Sequence, residues 1–500
     1  MKTPRLGSST VALVPSAIRV PTYDRRSLAV GLAHVGVGAF HRCHQQEVLD
    51  DVLHLPNEQQ GGSWGMVGIN LRPPALEPLL GPQDGLYGRL LRDGDRVDGR
   101  VLGGIVRTVD GSVDAVRSLA DPAVHVVSFT ITEKGYCHVP ATGELDRMHP
   151  DVVVDVDSLR RDPLAERAIL QSAPGVLVAA LARRRAAGTA APTLMSCDNV
   201  PDNGTLLSGV VRSLAEMVDP ALGAWIVDNV CVPNTMVDRI VPATREEDLA
   251  QFRSLAGVRD DATVTGESFL QWVIEDRFGG PRPPWELVGV EMVHDVRPFE
   301  EMKFRVVNGA QSLLCYLGGL AGIDLMYEVM RVPEFAAVAE HLLDSEVAET
   351  LRVPATVDTV AYRAALLQRL RNTAVAHRTQ QIATDGSRKI PQRFLAPLGE
   401  RLARGLASPV LCLGVAAWMV YVTDGRAFDD PLAGRLRGVG AAAAGRVDDV
   451  LHGCLGIADV FGVALPADQR FVAGVREQLS SLLDVGPREA TRRLLTTSRP

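Results

Sequence analysis

Five hundred residues, 46% hydrophobic and 22% charged, form a chain too long for one ordinary core and with the balance of a globular protein. A formal net charge of −8 excludes nucleic acid or an anionic membrane surface as the main partner. Seven cysteines, odd in number and never closer than 34 residues, fit neither a disulfide framework nor a C-x-x-C metal knuckle, and point to a reducing, cytoplasmic setting.

The first thirty residues hold no sustained apolar run, so they do not read as a secretory signal. Residues 1–28 read as an N-terminal arm. From 30 to about 285, short β-branched runs alternate with longer periodic ones. Candidate strands are LAHVGVG, WGMVGIN, AVHVVSFTIT, APTLMSCD and AWIVDNVCVP, with a helix expected over 165–187. Such alternation predicts an α/β domain with a largely parallel sheet.

The GGPRPP segment at 279–284 breaks the pattern, and a short possible strand, LVGVEMV, follows it. Helix formers then dominate to the end, with helices expected near 361–370, 435–450 and 468–484. The apolar run at 409–422 is too short for a bilayer and reads as a buried core helix. The predicted organisation is a Rossmann-like domain over 1–295 and a mostly α-helical substrate and catalytic domain over 296–500.

Two segments carry chemistry. Near the N-terminus a strand runs into Gly36-Val37-Gly38 and then an amphipathic stretch containing Ala39 and Phe40. Strand, glycine turn and helix make the element that cradles a pyrophosphate. The G-x-G-x-x-G fingerprint is incomplete, because His41 stands at its third glycine. The second segment, EMKFRVVNGAQS, carries Lys303, Asn308 and Gln311. On an ideal helix of about 100° per residue, Gln311 lies roughly 80° and Asn308 roughly 140° round from Lys303. One wall then offers an amine and two amides, a set suited to moving a proton from an alcohol and holding its oxygen. The alternative is an amphipathic helix with a solvated lysine.

Taken together, seven collinear blocks resemble the long-chain mannitol dehydrogenase family: GVGAFHRCHQ, SFTITEKGY, MSCDNVPDNG, VPNTMVDRI, ESFLQWVIEDRF, KFRVVNGAQS and DGSRKIPQR. The resemblance implies an NAD-dependent oxidoreductase acting on an acyclic sugar derivative, as a monomer or small homo-oligomer. It casts Lys303 as a metal-independent general acid or base. A lysine free in water keeps its proton at neutral pH, so that role requires burial. Asn199 and Asn308 match the amides that hold the substrate oxygen, although Asn199 in Ser-Cys-Asp-Asn also fits a simple Asx turn. Gln311 departs from the family's K-x4-N-x2-H pattern: it donates and accepts, but cannot titrate.

Glu300 matches a glutamate implicated in proton passage, or else serves as a first-turn carboxylate. Asp238 and Lys389 match positions near the substrate, with a salt-bridged surface as the alternative. Glu133 and Lys134 follow a strand end facing the expected nucleotide cleft. The second strand ends in Asn70-Leu71-Arg72 with no acid. Asn70 suits a ribose hydroxyl and Arg72 a 2′-phosphate, so NAD is favoured and NADP stays possible.

The stretch from His377 to Lys389 resembles the fructuronate reductase branch, whose uronate carboxylate Arg388, Lys389 or Arg393 would answer. The alternatives are a mannitol- or arabinitol-type polyol dehydrogenase, or a nucleotide-binding protein that has lost turnover. No metal site is expected: His41 and His44 read as helix-surface histidines without a carboxylate or cysteine cluster.

Overall fold

The computed structural model describes residues 3–140, 142–355 and 357–497. The chain divides into two compact units, Met1–Arg297 and Pro298–Pro500.

Among the described residues the first unit has eleven strands. They are β1 Val30–Val35, β2 Gly65–Asn70, β3 Tyr87–Asp93, β4 Arg96–Leu102, β5 Ile105–Asp110, β6 Val126–Phe129, β7 Thr193–Ser196, β8 Thr235–Asp238, β9 Val264–Glu267, β10 Gln271–Glu275 and β11 Glu291–Val293. Five form one parallel sheet in the order β5-β2-β1-β6-β7. The order reverses between β1 and β6, the kind of switch point at which doubly wound sheets take ligands on their C-terminal edge.

The sheet is covered on both faces, which explains why its strands read as continuous apolar runs. Helices Ser112–Ala120, Pro150–Arg161, Ala173–Ala186 and Asn203–Val218 pack on one side. Helix Gln45–Leu53, with Trp64, Trp272 and Trp285, closes the other. Two three-stranded sheets, β4-β3-β9 and β11-β10-β8, complete the unit.

Three expected elements differ. AWIVDNVCVP is helical as far as Asn229, because Asp219 caps the helix Pro220–Asn229 by accepting from the Ala221 N–H (2.9 Å) and Pro220 opens its first turn. The helix expected from 165 starts at Ala173: Ser172 caps it through the Gly175 N–H (3.0 Å), and Ala165 has a positive φ of 49°. The span 435–450 is two helices, Ala433–Ala443 and Val447–Leu455, split where Ala444 and Gly445 take φ of 47° and 78°.

The second unit is helical, as expected. Its centre is the helix Pro409–Thr423, buried at every residue from Val410 to Val422 and packed on helix Gly309–Leu320 and on the segment Gln469–Thr497, which is two helices broken at Gly486 (φ 76°). No described helix is long and apolar enough to cross a membrane.

The N-terminus of the central helix is closed by Glu346, whose carboxylate accepts from the Val410 and Leu411 N–H groups, each at 2.8 Å. Burial outweighs those bonds and the nearby Arg401, pushing the carboxyl up to about 7 from its usual 4.5. Across that interval the folded chain binds a proton that the unfolded chain has lost. Glu346 thus contributes stability in full below about pH 4.5, and the contribution falls as pH rises to about 7. Glu346→Gln should remove this component. Melting temperatures taken at pH about 5 and about 7.5 should differ less in the variant than in the wild type; an equal difference would refute the assignment.

Candidate nucleotide-binding and catalytic residues

β1 ends at Gly36, whose φ is +93° and whose added Cβ would collide with the Thr130 carbonyl oxygen beyond β6. Only glycine fits there. Its N–H donates to the Ile69 carbonyl (2.8 Å), and its own carbonyl accepts from the Thr130 hydroxyl (2.7 Å). Gly38 differs: a Cβ there would meet nothing closer than the Gly36 oxygen at 4.0 Å. Packing does not demand this glycine, and the space over it stays open. Ala39 and Phe40, half-buried, form the first turn of helix Ala39–Cys43.

The side chain of Asn70, expected to meet a ribose hydroxyl, braces this turn instead. Its carbonyl accepts from the Val37 N–H (2.8 Å) and its amide donates to the Pro74 carbonyl (2.9 Å). Arg72, exposed, pairs with Asp151 and donates to the Gln171 carbonyl (3.0 Å).

His41 and His44 are buried, contrary to the helix-surface reading, because this helix face packs onto the sheet. The His41 ring stacks on His34 of β1, centroids 3.5 Å apart and 7° from parallel. His34 in turn bonds the hydroxyls of Ser128 (2.7 Å) and Thr130 (2.8 Å). Burial holds both rings neutral, lowering His34 to about 3 and His41 well below its ordinary value.

Glu133 and Lys134 lie in a single turn, Glu133–Tyr136, beyond β6. Asp198 anchors the approach to it, accepting from the Ile131 (3.0 Å) and Thr132 (2.8 Å) N–H groups and the Tyr136 hydroxyl (2.7 Å). Asn199 is exposed beside Asp198, beyond the end of β7. Its loop is webbed by two further asparagines. Asn203 donates to the Asp198 (3.0 Å) and Thr235 (2.9 Å) carbonyls, and Asn234 accepts from the Gly204 (2.8 Å) and Thr205 (3.0 Å) N–H groups. These supports were not singled out from sequence, although the Asx-rich runs SCDNVPDN and VPNT carry the signal. Gly36, the Thr130–Glu133 segment and Asn199 thus follow the C-terminal ends of three neighbouring strands. Asp238 is buried on β8 opposite Gln271, so the surface reading does not hold for it.

Among the described residues one group with metal-ligand chemistry comes together, Cys137, His149 and Asp151, with ligand atoms within 4.8 Å of one another. Its carboxylate is already committed to Arg72.

In the second unit, Lys303 and Asn308 lie on one continuous helix that is not ideal. Arg297–Lys303 and Gly309–Leu320 are α-helical, but Phe304–Asn308 between them is a π segment, with the Gly309 N–H reaching back five residues to the Phe304 carbonyl. The wider turn carries Asn308 back towards the Lys303 side and supersedes the ideal-helix angles. Such turns are rare and recur at functional sites.

The row is buried: Glu300, Lys303, Asn308 and Gln311 are 5%, 6%, 7% and 6% exposed. That removes the solvated-lysine reading. Asn308 donates its side-chain N–H to the Gln311 carbonyl (3.2 Å), leaving the Asn308 side-chain oxygen buried without a partner. The Lys303 amine sits 5.6 Å from the centre of the Phe304 ring.

Lys389, on helix Gly386–Ile390, donates to the Ile382 carbonyl (3.2 Å) and the Thr384 hydroxyl (3.5 Å). Burial, then the charge of Arg393, pushes it down to about 8. Arg393 is buried and donates to the Ser312 hydroxyl (2.8 Å) and, longer, to the Asn308 carbonyl (3.5 Å). Among the described residues no carboxylate forms an ion pair with either cation, so Lys389 is not part of a salt-bridged surface. A buried amine, a pair of amides and the Lys389 cation are equipped to move a proton at an alcohol oxygen and to hold an anionic group.

The description of the mannitol dehydrogenase Rossmann domain matches residues 30–287, and that of the mannitol dehydrogenase C-terminal domain matches 295–483. The uncharacterized oxidoreductase YdfI of Escherichia coli (strain K12) is 42% identical, over 95% of this chain and 97% of its own length. D-mannonate oxidoreductase of the same organism is 38% identical, over 94% and 96%. The structure of Pseudomonas fluorescens mannitol 2-dehydrogenase, a ternary complex with NAD and D-mannitol, superposes with a TM-score of 0.86 at 33% identity, covering 98% of this chain and 99% of that one. The chain belongs to the mannitol dehydrogenase family of oxidoreductases.

Proposed function

We propose that this chain interconverts a secondary alcohol and a ketone of an acyclic sugar acid, of the fructuronate and mannonate type, with Lys303 as general acid and base. The observation that carries the reading is the buried row of Lys303, Asn308 and Gln311 in the same unit as the half-buried Lys389, a cation with no carboxylate in ion-pair contact among the described residues. Similarity to D-mannonate oxidoreductase supports the substrate class.

The cofactor is NAD. The turn fits a dinucleotide: Gly36 is forced by packing, whereas the space over Gly38 is left for a ligand. Gly36, Gly38, Ala39 and Phe40 would hold the pyrophosphate, with Asn70 bracing the turn and Glu133 and Lys134 on the neighbouring strand end. To meet a 2′-phosphate, Arg72 would have to leave Asp151 and Gln171, which favours NAD over NADP. When bound, the nicotinamide supplies or accepts the hydride.

In the oxidative direction Lys303 removes the hydroxyl proton, and in reduction it returns it. Asn308 donates an N–H to that oxygen as charge develops, and Asn199 is a further amide donor for the substrate. Asn308 retains a second N–H for this after bonding Gln311. Gln311 gives its amide N–H to a substrate oxygen, Glu300 passes the proton onward from Lys303, Asp238 accepts from a substrate hydroxyl, and Lys389 holds the carboxylate.

An NADH-oxidation screen with fructuronate, tagaturonate, fructose and xylulose tests the substrate class. Turnover of fructose or xylulose with both uronates inert would reject it in favour of a polyol dehydrogenase, the reading that the mannitol-bound structural neighbour favours. Inertness on all four would favour the protein that has lost turnover. Lys303→Ala should lower turnover at least about 10²-fold while NADH affinity stays near wild type; full activity would remove the lysine from the mechanism.

Gln311→His should shift relative kcat/KM among these substrates by roughly two- to tenfold, the worth of one hydrogen bond. A rescue of about 10³-fold or more from an inert wild type would instead mark a decayed enzyme. Because Lys389 is held near 8, its charge fades above that pH. KM for a uronate should rise above pH about 8 in the wild type, and Lys389→Gln should raise it below that pH and abolish the pH dependence. Equal effects on neutral ketoses would refute the carboxylate role.

A further inference from the structure

Arg393 takes no part in the steps above, yet it sits against the turn that carries Asn308. It lies in a π segment of its own, Pro391–Leu395, where the Ala396 N–H reaches the Pro391 carbonyl five residues back. The two wide turns abut: a Cβ added to Gly309 would lie 3.5 Å from the Arg393 carbonyl oxygen. The guanidinium reaches two points on the catalytic helix, the Asn308 carbonyl at the end of its π segment and the Ser312 hydroxyl one turn later.

The energetics are unusual. Arg393 is buried, both of these acceptors are neutral, and among the described residues its Nε has no partner and no carboxylate forms an ion pair with it. Burial alone pushes the group down to about 10. A buried cation bonded only to neutral groups costs stability, and an apolar side chain of similar length would fill the space without that cost. Stability therefore gives no reason for a guanidinium here, and conflicts of this kind mark positions retained for function.

We propose that Arg393 is a positioning residue: its guanidinium pins the Phe304–Asn308 turn, and so sets where the Asn308 and Gln311 amides stand relative to Lys303. The inference rests on the reading of Lys303 and Asn308 as the reacting set. It extends that reading to a side chain that touches neither substrate nor cofactor.

Arg393→Met and Arg393→Lys test it. The methionine variant should melt no lower than wild type and bind NADH with unchanged affinity. Its kcat should fall about 10- to 10²-fold, the scale of a misplacement of about 1 Å, with KM nearly constant and the same factor on every substrate turned over. Lysine, which keeps the charge and a donor, should recover part of kcat. In a crystal structure of Arg393→Met, Asn308 should shift relative to Lys303.

Wild-type kcat in the methionine variant, or a loss that only tracks a lower melting temperature, would overturn the proposal. A loss confined to uronates would also overturn it and assign the guanidinium to the substrate carboxylate. If the wild type proves inert on all substrates, the proposed function fails by itself. The crystal structure still decides this inference, because an unmoved Asn308 refutes it without any activity measurement.

Discussion

The backbone of Gly36 lies against the carbonyl of Thr130, and the ligand-facing edge of the first unit is organised by that approach. A side chain of any size would drive β1 and β6 apart at the switch point. Once the approach is made, Thr130 bonds back to Gly36, His34 bonds Thr130, and His41 stacks on His34. The missing third glycine of the fingerprint is thereby accounted for. Where glycine would allow close helix packing, two neutral imidazoles fill the same layer face to face.

The second unit solves a different problem, keeping polar and charged groups in a helical interior without a counter-charge for each. It does so with backbone irregularity. Among the described residues three π segments, Phe304–Asn308, Leu342–Val347 and Pro391–Leu395, each put a wide turn beside a buried polar group. The first carries Asn308, the second Glu346 at the head of the central helix, and the third Arg393. Wide turns redirect carbonyls and side chains that a regular α-helix would keep in line.

What the sequence made legible follows from period and punctuation. β1, β2, β6 and β7 were readable because a sheet covered on both faces writes itself as apolar runs ending in glycine or Asx. The core helix at 409–423 was readable because its burial is uniform. AWIVDNV reads as a strand from its β-branched residues, whereas the Asp-Pro cap in front of it starts a helix. The hairpin β3–β4 and strand β9 were not singled out, since small sheets at the margin of a domain have mixed faces. Candidate site residues were named through motif blocks, and their surroundings were not. Nothing in KFRVVNGAQ distinguishes a π turn from an α turn, and no local pattern tells that the Asn70 side-chain oxygen accepts from the Val37 N–H or that Arg393 faces Asn308.

The π turn at Phe304–Asn308 also gives this helix an unusual tolerance of length. An i→i+5 turn holds one residue more than an i→i+4 turn, so losing any one residue between Lys303 and Asn308 would let the helix close into regular α form. The hydrogen-bond ladder would improve, and Asn308 and Gln311 would keep nearly the same face, because four residues at about 100° end only about 40° past one full turn from Lys303. A single-residue gap in this stretch can therefore straighten the helix and still keep the amine and the amides on one wall, whereas the same gap in its regular α-helical part turns the side chains beyond it by about 100°.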